Sequence, residues 1–144
     1  HMIAVDTNLL VAFHRTEYPT HARAQQLITG LAEGWDSWAI PWPCIHEFVA
    51  VVTNGRIFVK PTTPTHAAQV IDTLMESPSL RLLGEGPGYW NRLRDLVVKG
   101  HIAGAKVHDA RIAALCLENG VRQLWTADRD FSRFPALKCV NPCA

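Results

Sequence analysis

The sequence predicts an α/β fold, with a short-stranded, mostly parallel central sheet between two layers of helices. Short apolar runs at 2–5, 38–40 and 123–126 have the length and composition of buried strands. The segments between them repeat apolar residues every three or four positions, which is typical of amphipathic helices. Because strands that alternate with helices connect by right-handed crossovers, they pair in parallel and form a three-layer α/β/α sandwich.

The amino-terminal half is predicted to contain two strands and four helices. Met2 to Val5 is an uninterrupted apolar run that ends at Asp6. Pro19 and Thr20 favour the start of a helix, and Asn54-Gly55 is a common helix stop. The predicted elements are a strand at 2–5, a helix through about residue 11, a helix at 19–33, a strand at 38–40, and helices at 43–52 and 65–75.

The carboxy-terminal half is predicted to alternate in the same way. Its clearest helix is closed by Asn119-Gly120. The segment from Gly84 to Gly88 predicts a turn, because it lacks the Lys-Ser or Lys-Thr ending of a phosphate-binding loop. The predicted elements are a strand at 80–83, helices at 89–99 and 105–118, a strand at 123–126, a short helical turn around Phe131, and a strand at 138–140.

Composition limits the class of protein more than it identifies a function. A chain of 144 residues has the size of one domain, which we expect to span residues 2–144, with His1 before Met2 interpreted as a tag remnant. With no secretion signal and no apolar run of about 18 residues, the expectation is a soluble, cytoplasmic protein. A net charge of +1 argues against a strongly basic nucleic-acid-binding domain, so any RNA contact requires a local basic face.

The four cysteines are expected to be free thiols. Cys44, Cys116, Cys139 and Cys143 show neither a paired C-x-x-C spacing nor a histidine pattern for zinc. Free thiols fit a reducing compartment, and a bridge between Cys139 and Cys143 is the alternative.

Two acidic residues are predicted to lie at strand ends. Asp6 terminates an apolar strand, where an unpaired buried charge is costly, and Asp128 lies just past Thr126 at the end of another strand. In parallel sheets, ligands bind beyond the carboxyl ends of the strands. The alternative for each acid is a helix cap, and Asp130 is the better candidate for that role beside Asp128, or for an outer contact to a ligand.

Two further acids lie in predicted helices. Glu47 is followed by Ala50 and Val51, so its face is interpreted as apolar and inward, with a solvated surface glutamate as the alternative. Asp109 lies in the first turn of its helix, where the helix dipole alone would favour an anion. It also shares the apolar stripe that continues three, four and seven positions on.

One divalent cation site explains all four acids together. Carboxylates from separate segments suit Mg²⁺, which prefers oxygen ligands, and Mn²⁺ would be accepted too. Such a site suits the hydrolysis of phosphodiester bonds by metal-activated water. Because like charges repel in the metal-free protein, Asp6→Asn or Asp109→Asn is expected to abolish cleavage and yet raise the melting temperature.

The order and surroundings of the acids resemble those of PIN-domain nucleases, and more narrowly of VapC toxins. The resemblance covers essentially the full length and is carried by IAVDTN at 3–8, Glu47 after a short strand, HDA-x-IA at 108–113 and TADRDF at 126–131. It implies a PIN-like α/β/α sandwich and an Mg²⁺- or Mn²⁺-dependent RNA endonuclease. Such nucleases are usually homodimers, and a VapB-type antitoxin holds them inactive.

The resemblance also assigns roles to individual residues. The catalytic, metal-binding acids of the family correspond to Asp6, Glu47, Asp109 and Asp128. Thr126 matches the small hydroxyl residue that accompanies the last acid, and Asn8 matches an Asn or Ser beside the first. The family varies at the last motif, so the division of roles between Asp128 and Asp130 stays open.

Two other functions compete with this interpretation. A phosphatase would use Asp6 as its nucleophile, but the second acid expected two residues on is replaced by Asn8. The non-enzymatic alternative is an acid-ringed interaction module that has lost activity.

Aromatic, histidine and basic residues are further candidates for the core and for contacts around the site. Trp35, Trp38 and Trp42 are expected in the core, with a hydrophobic groove for a partner as the alternative. His46 and His108 each precede an acid and are expected to pack or to support it rather than to bind a metal. Candidate phosphate contacts, with Arg129 the strongest, are Arg15, Arg56, Lys60, Arg92, Arg94, Lys99, Lys106, Arg129 and Arg133.

Overall fold

The computed structural model describes residues 2–144 and contains a five-stranded sheet in which every neighbouring pair is parallel. The strands are β1 (Met2–Val5), β2 (Trp38–Pro41), β3 (Leu80–Leu83), β4 (Val121–Trp125) and β5 (Cys139–Val140). Their order is β3-β2-β1-β4-β5, so the first strand lies in the centre. His1, interpreted above as a tag remnant, lies outside the described residues.

Six α-helices and one short 3₁₀ helix connect the strands. They are α1 (Thr7–His14), α2 (His21–Glu33), α3 (Trp42–Val52), α4 (Pro64–Met75), α5 (Tyr89–Gly100), α6 (Lys106–Glu118) and the 3₁₀ helix Arg129–Arg133. Helix α1 packs on α2 and α3, and α5 packs on α6. The chain crosses from β1 to β3 in one direction and returns from β3 to β4 in the other. Right-handed crossovers therefore place α1 to α4 on one face and α5 and α6 on the opposite face. This confirms the predicted three-layer sandwich.

The core forms between these layers because the central strands carry apolar side chains towards both faces. All four residues of β2 are buried, including Trp38, and Ala4 and Val5 of β1 are fully buried. Such continuous apolar runs are expected where helices cover both faces of a parallel sheet. Within residues 2–144, no helix is both long and apolar enough to span a membrane.

Predicted and observed elements agree in number, type and order, and differ at their ends. Helix α1 continues to His14, three residues past the predicted end, and the His14 imidazole contacts the Thr62 hydroxyl at 2.8 Å. Strand β4 begins two residues before its predicted start, because Val121 pairs with Met2 of β1. These ends depend on distant partners, which local sequence patterns do not reveal.

The expectation of three core tryptophans is right for one of them. Trp38 is fully buried, and its indole N–H donates to the Ser77 hydroxyl. Trp35 is fully exposed in the loop before β2, and Trp42 is 38% exposed at the start of α3. The two exposed rings lie at opposite ends of β2, so they do not form one cluster.

Candidate active site

The four predicted acids line one cavity, at the carboxyl edge of the sheet. This acidic cavity has a volume of about 220 Å³ and includes Asp6, Glu47, Asp109 and Asp128 in its lining. Asp6 follows β1 directly, and its backbone N–H donates to the Trp125 carbonyl of neighbouring β4. Parallel pairing of β1 and β4 therefore brings together acids that are far apart in the sequence.

Asp6 forms the buried floor of the cavity and is held by four donors. Its Oδ1 accepts the Thr7 backbone N–H at 2.8 Å and the Cys44 thiol at 3.4 Å. Its Oδ2 accepts the Thr126 hydroxyl at 2.7 Å and the Asn8 amide at 3.2 Å. Asp6 also caps α1 through the Thr7 bond, so it combines the cap with a place in the cavity.

Two opposing effects act on the pKa of Asp6. Burial disfavours the charged carboxylate and raises the pKa, and the nearby charge of Asp128 adds to that rise. Hydrogen bonds from Thr126, Thr7 and Cys44 stabilise the ionised form and lower the pKa in part. Together these effects raise the pKa of Asp6, so folding makes the charged form of this carboxyl group less favourable.

Asn8 and Thr126 join the ends of the two central strands. The Asn8 amide donates to Thr126 Oγ1 at 3.2 Å, and its carbonyl accepts the Ala127 backbone N–H at 3.1 Å. Thr126 Oγ1 also accepts the Asp128 backbone N–H at 3.0 Å. This network fixes the segment that carries Asp128 against the segment that carries Asp6.

Asp109 forms part of the wall of the acidic cavity, from the first turn of α6. Its helix turns Ile112, Ala113 and Cys116 into the core, as the apolar stripe predicted. Partial burial raises the pKa of Asp109, and the Asp128 charge raises it further. Lys106 opposes these effects with its positive charge.

Asp128 and Asp130 complete the acidic corner. Asp128 caps the 3₁₀ helix by accepting the Asp130 backbone N–H at 2.9 Å, which is the alternative role considered from the sequence. Asp130 is ion-paired with Lys106, and this hydrogen bond lowers the pKa of Asp130. Carboxylate oxygens of Asp109, Asp128 and Asp130 lie within 4.8 Å of one another. The expectation that Asp130 is the better cap candidate is therefore wrong: Asp128 is the cap, and Asp130 belongs to the acidic cluster.

Glu47 lies at the rim rather than in the interior. Its residue lines the acidic cavity with Val51 of the next turn, but it is exposed, and Ala50 is exposed as well. The expectation of an inward apolar face is therefore wrong for this side of α3.

The donor set suits a hard divalent cation. Lysine and arginine ion pairs in residues 2–144 involve Glu17, Glu118 and Asp130, and none involves the four acids predicted for the site. Those acids all offer carboxylate oxygens, and one oxygen each from Asp109, Asp128 and Asp130 lies within 4.8 Å of the other two, which is close enough for the three to surround one ion. Carboxylate oxygens are ligands that Mg²⁺ and Mn²⁺ prefer. Within this group, Asp130 is the member that pairs with a cation, Lys106.

Two residues of this site were not singled out from the sequence. Cys44 is fully buried in α3 and donates to Asp6, a contact that only the packing of α3 beside β1 creates. Tyr18 lines the acidic cavity from the loop between α1 and α2, where no sequence pattern marks it. All four cysteines are free thiols, as expected.

Comparisons with known proteins agree with this architecture. The PIN domain family model matches residues 3–137. Ribonuclease VapC43 of Mycobacterium tuberculosis is 36% identical over 141 residues, covering 98% of this chain and 95% of the relative. Ribonuclease VapC48 of the same species is 30% identical over 138 residues, covering 95% and 94%.

Two solved structures share this fold. VapBC2 from Rickettsia felis, bound to a promoter DNA fragment, superposes with a TM-score of 0.70 at 17% identity, covering 97% of this chain and 98% of the other. VapC20 of Mycobacterium tuberculosis, described as a Sarcin-Ricin loop cleaving toxin, gives a TM-score of 0.66 at 18% identity, covering 90% and 92%. At these identities the likeness concerns the fold.

Proposed function

The chain belongs to the PIN-domain family, and we propose that it is a metal-dependent endoribonuclease of the VapC type. The observation that carries the proposal is the gathering of Asp6, Glu47, Asp109 and Asp128 in one cavity at the carboxyl edge of the sheet. Relatives over nearly the whole chain are named ribonucleases, which supports RNA as the substrate.

We propose that Asp109 and Asp128, with Asp130 beside them, hold the divalent ion, and that Asp6 and Glu47 complete the site from the floor and the rim. A bound Mg²⁺ or Mn²⁺ would supply a water of lowered pKa and offset charge on the phosphodiester. Asn8 and Thr126 keep the Asp6 carboxylate oriented by donating to its Oδ2. The ammonium group of Lys106, paired with Asp130, is placed to offset negative charge when a phosphate enters.

Cleavage of a fluorogenic RNA in EDTA and after addition of Mg²⁺ or Mn²⁺ tests the proposal. We expect no cleavage in EDTA and recovery with either ion. Undiminished cleavage in EDTA would refute the metal-dependent mechanism, and mapping of the new RNA ends would separate endonuclease from exonuclease action.

The alternatives have less support. A phosphatase with Asp6 as nucleophile would need an accessible carboxylate, whereas Asp6 is buried and hydrogen-bonded by four donors. The amide of Asn8, at the position of the expected second acid, is engaged with Asp6 and Thr126. An inactive binding module does not explain why the four acids line one cavity without lysine or arginine partners in residues 2–144.

A VapB-like antitoxin and a second copy of the chain are the proposed protein partners. Several proteins of this fold were solved as toxin-antitoxin assemblies, among them a complex from Klebsiella pneumoniae. Exposed aromatic side chains such as Trp42 and Trp90 offer apolar surface for association. Co-expression with the adjacent open reading frame and light scattering of the purified chain test the two partners separately.

A further inference from the structure

We infer that a second, basic pocket beside the acidic cavity binds a backbone phosphate of single-stranded RNA. The inference rests on the proposed ribonuclease function, because it assigns that function a substrate-anchoring site. The pocket has a volume of about 520 Å³. Its basic side chains are His14, Arg15, Lys60 and His66, and its single acid is Glu17.

Three separate segments bring the basic groups together. His14 and Arg15 come from the end of α1, Lys60 from the loop between α3 and α4, and His66 from the first turn of α4. The amino end of α4 carries the positive end of the helix dipole, which adds to the attraction for an anion. A cluster of this kind stands out in a chain whose net charge is only +1.

Arg15 supports the shape of the basic pocket and is not the residue that we expect to bind the phosphate. Its guanidinium donates to both carboxylate oxygens of Glu17, at 2.9 and 2.7 Å, and so neutralises the single acid. It also donates to the Lys60 carbonyl at 2.9 Å and to Thr62 Oγ1 at 3.1 Å. These bonds hold the Lys60 loop against α1, and they leave the exposed Lys60 and His66 side chains to face an incoming phosphate.

The basic side chains around His14 contribute to a lowered pKa of its imidazole. Burial lowers its pKa, and the nearby charges of His66 and Arg15 lower it further, with a smaller effect of His21. Glu17 alone opposes them. A bound phosphate would relieve this repulsion between like charges.

The basic pocket and the acidic cavity meet in the loop between α1 and α2, where Glu17 lines the basic pocket and the next residue, Tyr18, lines the acidic cavity. The Arg15 guanidinium lies 4.1 Å from the centroid of the Phe58 ring, and the Phe58 and Tyr18 rings are 6.3 Å apart. Tyr18 itself lines the acidic cavity. A strand cleaved among the acids can therefore pass over Tyr18, on which a base can stack, and place a neighbouring phosphate in the basic pocket.

Binding of RNA without cleavage tests this inference. The probe is a fluorescein-labelled single strand of about twelve nucleotides, followed by anisotropy in EDTA. We expect the double variant Lys60→Gln/His66→Gln to bind about tenfold more weakly, and the slope of log K against log salt to fall by about 0.7 for each lost phosphate contact. The matched control, Lys138→Gln, changes an exposed lysine just before β5 and should bind as the wild type does.

The outcomes separate this inference from the function on which it rests. If the double variant binds the RNA with wild-type affinity and salt slope while the wild type cleaves RNA, the basic pocket is refuted and the nuclease stands. If the variant loses only antitoxin binding, the occupant is a protein segment and the inference is also refuted. If the wild type cleaves no RNA, NMR titration with inorganic phosphate still decides: shifts of the His14 and His66 ring signals that Lys60→Gln removes support an anion site, and unshifted signals refute it.

Discussion

Asp6 and Asp109 line the same cavity, Asp6 at its floor and Asp109 at its wall, but they differ in burial and in hydrogen-bond partners. Asp6 is buried at the end of a central strand and accepts hydrogen bonds from four donors. Asp109 is half-buried on a helix, has no lysine or arginine ion pair in residues 2–144, and lies near the charge of Asp128. The pKa of each is raised, mainly by burial.

The comparison shows that two carboxylates of one cavity can contribute differently to the stability of the fold. The floor acid holds local structure together, because it caps α1 and links it to the end of β4. The wall acid contributes charge and little structure. Substitutions that only remove charge should therefore separate the two positions.

The largest expected effect is the loss of RNA cleavage in the Asp109→Asn variant. Loss of one acidic ligand should lower the rate with Mg²⁺ at least about 100-fold, since even changes to residues that support metal ligands cost 10- to 100-fold. Initial rates on a fluorogenic RNA measure this, with Asp95→Asn on the exposed face of α5 as control. Wild-type cleavage by the Asp109 variant would remove this residue from the proposed site.

The second prediction concerns the stability of Asp6→Asn, and it revises the rise in melting temperature expected from charge clustering alone. The new NH₂ group faces the Asn8 amide and the Thr126 hydroxyl, both of which donate to Asp6 in the wild type. Unmet donors of this kind cost about 1–3 kcal/mol each, offset in part by removal of a buried charge. The metal-free variant should therefore melt about 3–6 °C below the wild type, as measured by calorimetry in EDTA. An increase in melting temperature would show that repulsion dominates at the floor too.

The third prediction is a smaller, pH-dependent increase in the free energy of unfolding of the metal-free Asp109→Asn variant. Because folding raises the pKa of Asp109, this carboxyl binds more protons in the folded state than in the unfolded state. Its contribution to stability is therefore lost as the pH rises from the pKa of the unfolded state through that of the folded state. Its replacement should thus stabilise the metal-free protein at pH 7, by about 0.5 kcal/mol after solvent screening, and should have little effect near pH 3.5. Urea unfolding at both pH values measures the gain, and a gain of equal size at both would exclude charge as its cause.

The smallest change in stability is expected for Glu47→Gln at the rim. Because Glu47 is exposed, the metal-free variant should unfold within about 0.5 kcal/mol of the wild type. The rise in melting temperature on adding Mg²⁺ should shrink, since stabilisation by a ligand follows its affinity. Glu33→Gln, at the far end of α2, is the control and should keep the full Mg²⁺ response.

Element types and the identity of the acids followed from local sequence, whereas their contacts did not. Each strand and helix was marked by apolar periodicity, caps and turn residues, which act over a few positions. Glu47, Trp35 and Trp42 are exposed, although the interpretations favoured from the sequence placed Glu47 inward and the tryptophans in the core. A helix or loop pattern does not show which neighbour covers a given face. The membership of Asp130 in the acidic corner likewise required the approach of α6 to the 3₁₀ helix.

By itself the sequence determined an α/β sandwich of parallel strands and the four acids that line its carboxyl edge, because strand periodicity and buried carboxylates leave local marks. Only the tertiary structure decided that Asp6 has four donors, with the Cys44 thiol among them, and that Asp109 has so few compensating contacts. Only the tertiary structure, too, brought His14, Lys60 and His66 into one pocket. The physical reason is that hydrogen bonds and electrostatic fields depend on distances across the fold, which residues far apart in sequence acquire only when the sheet and helices pack.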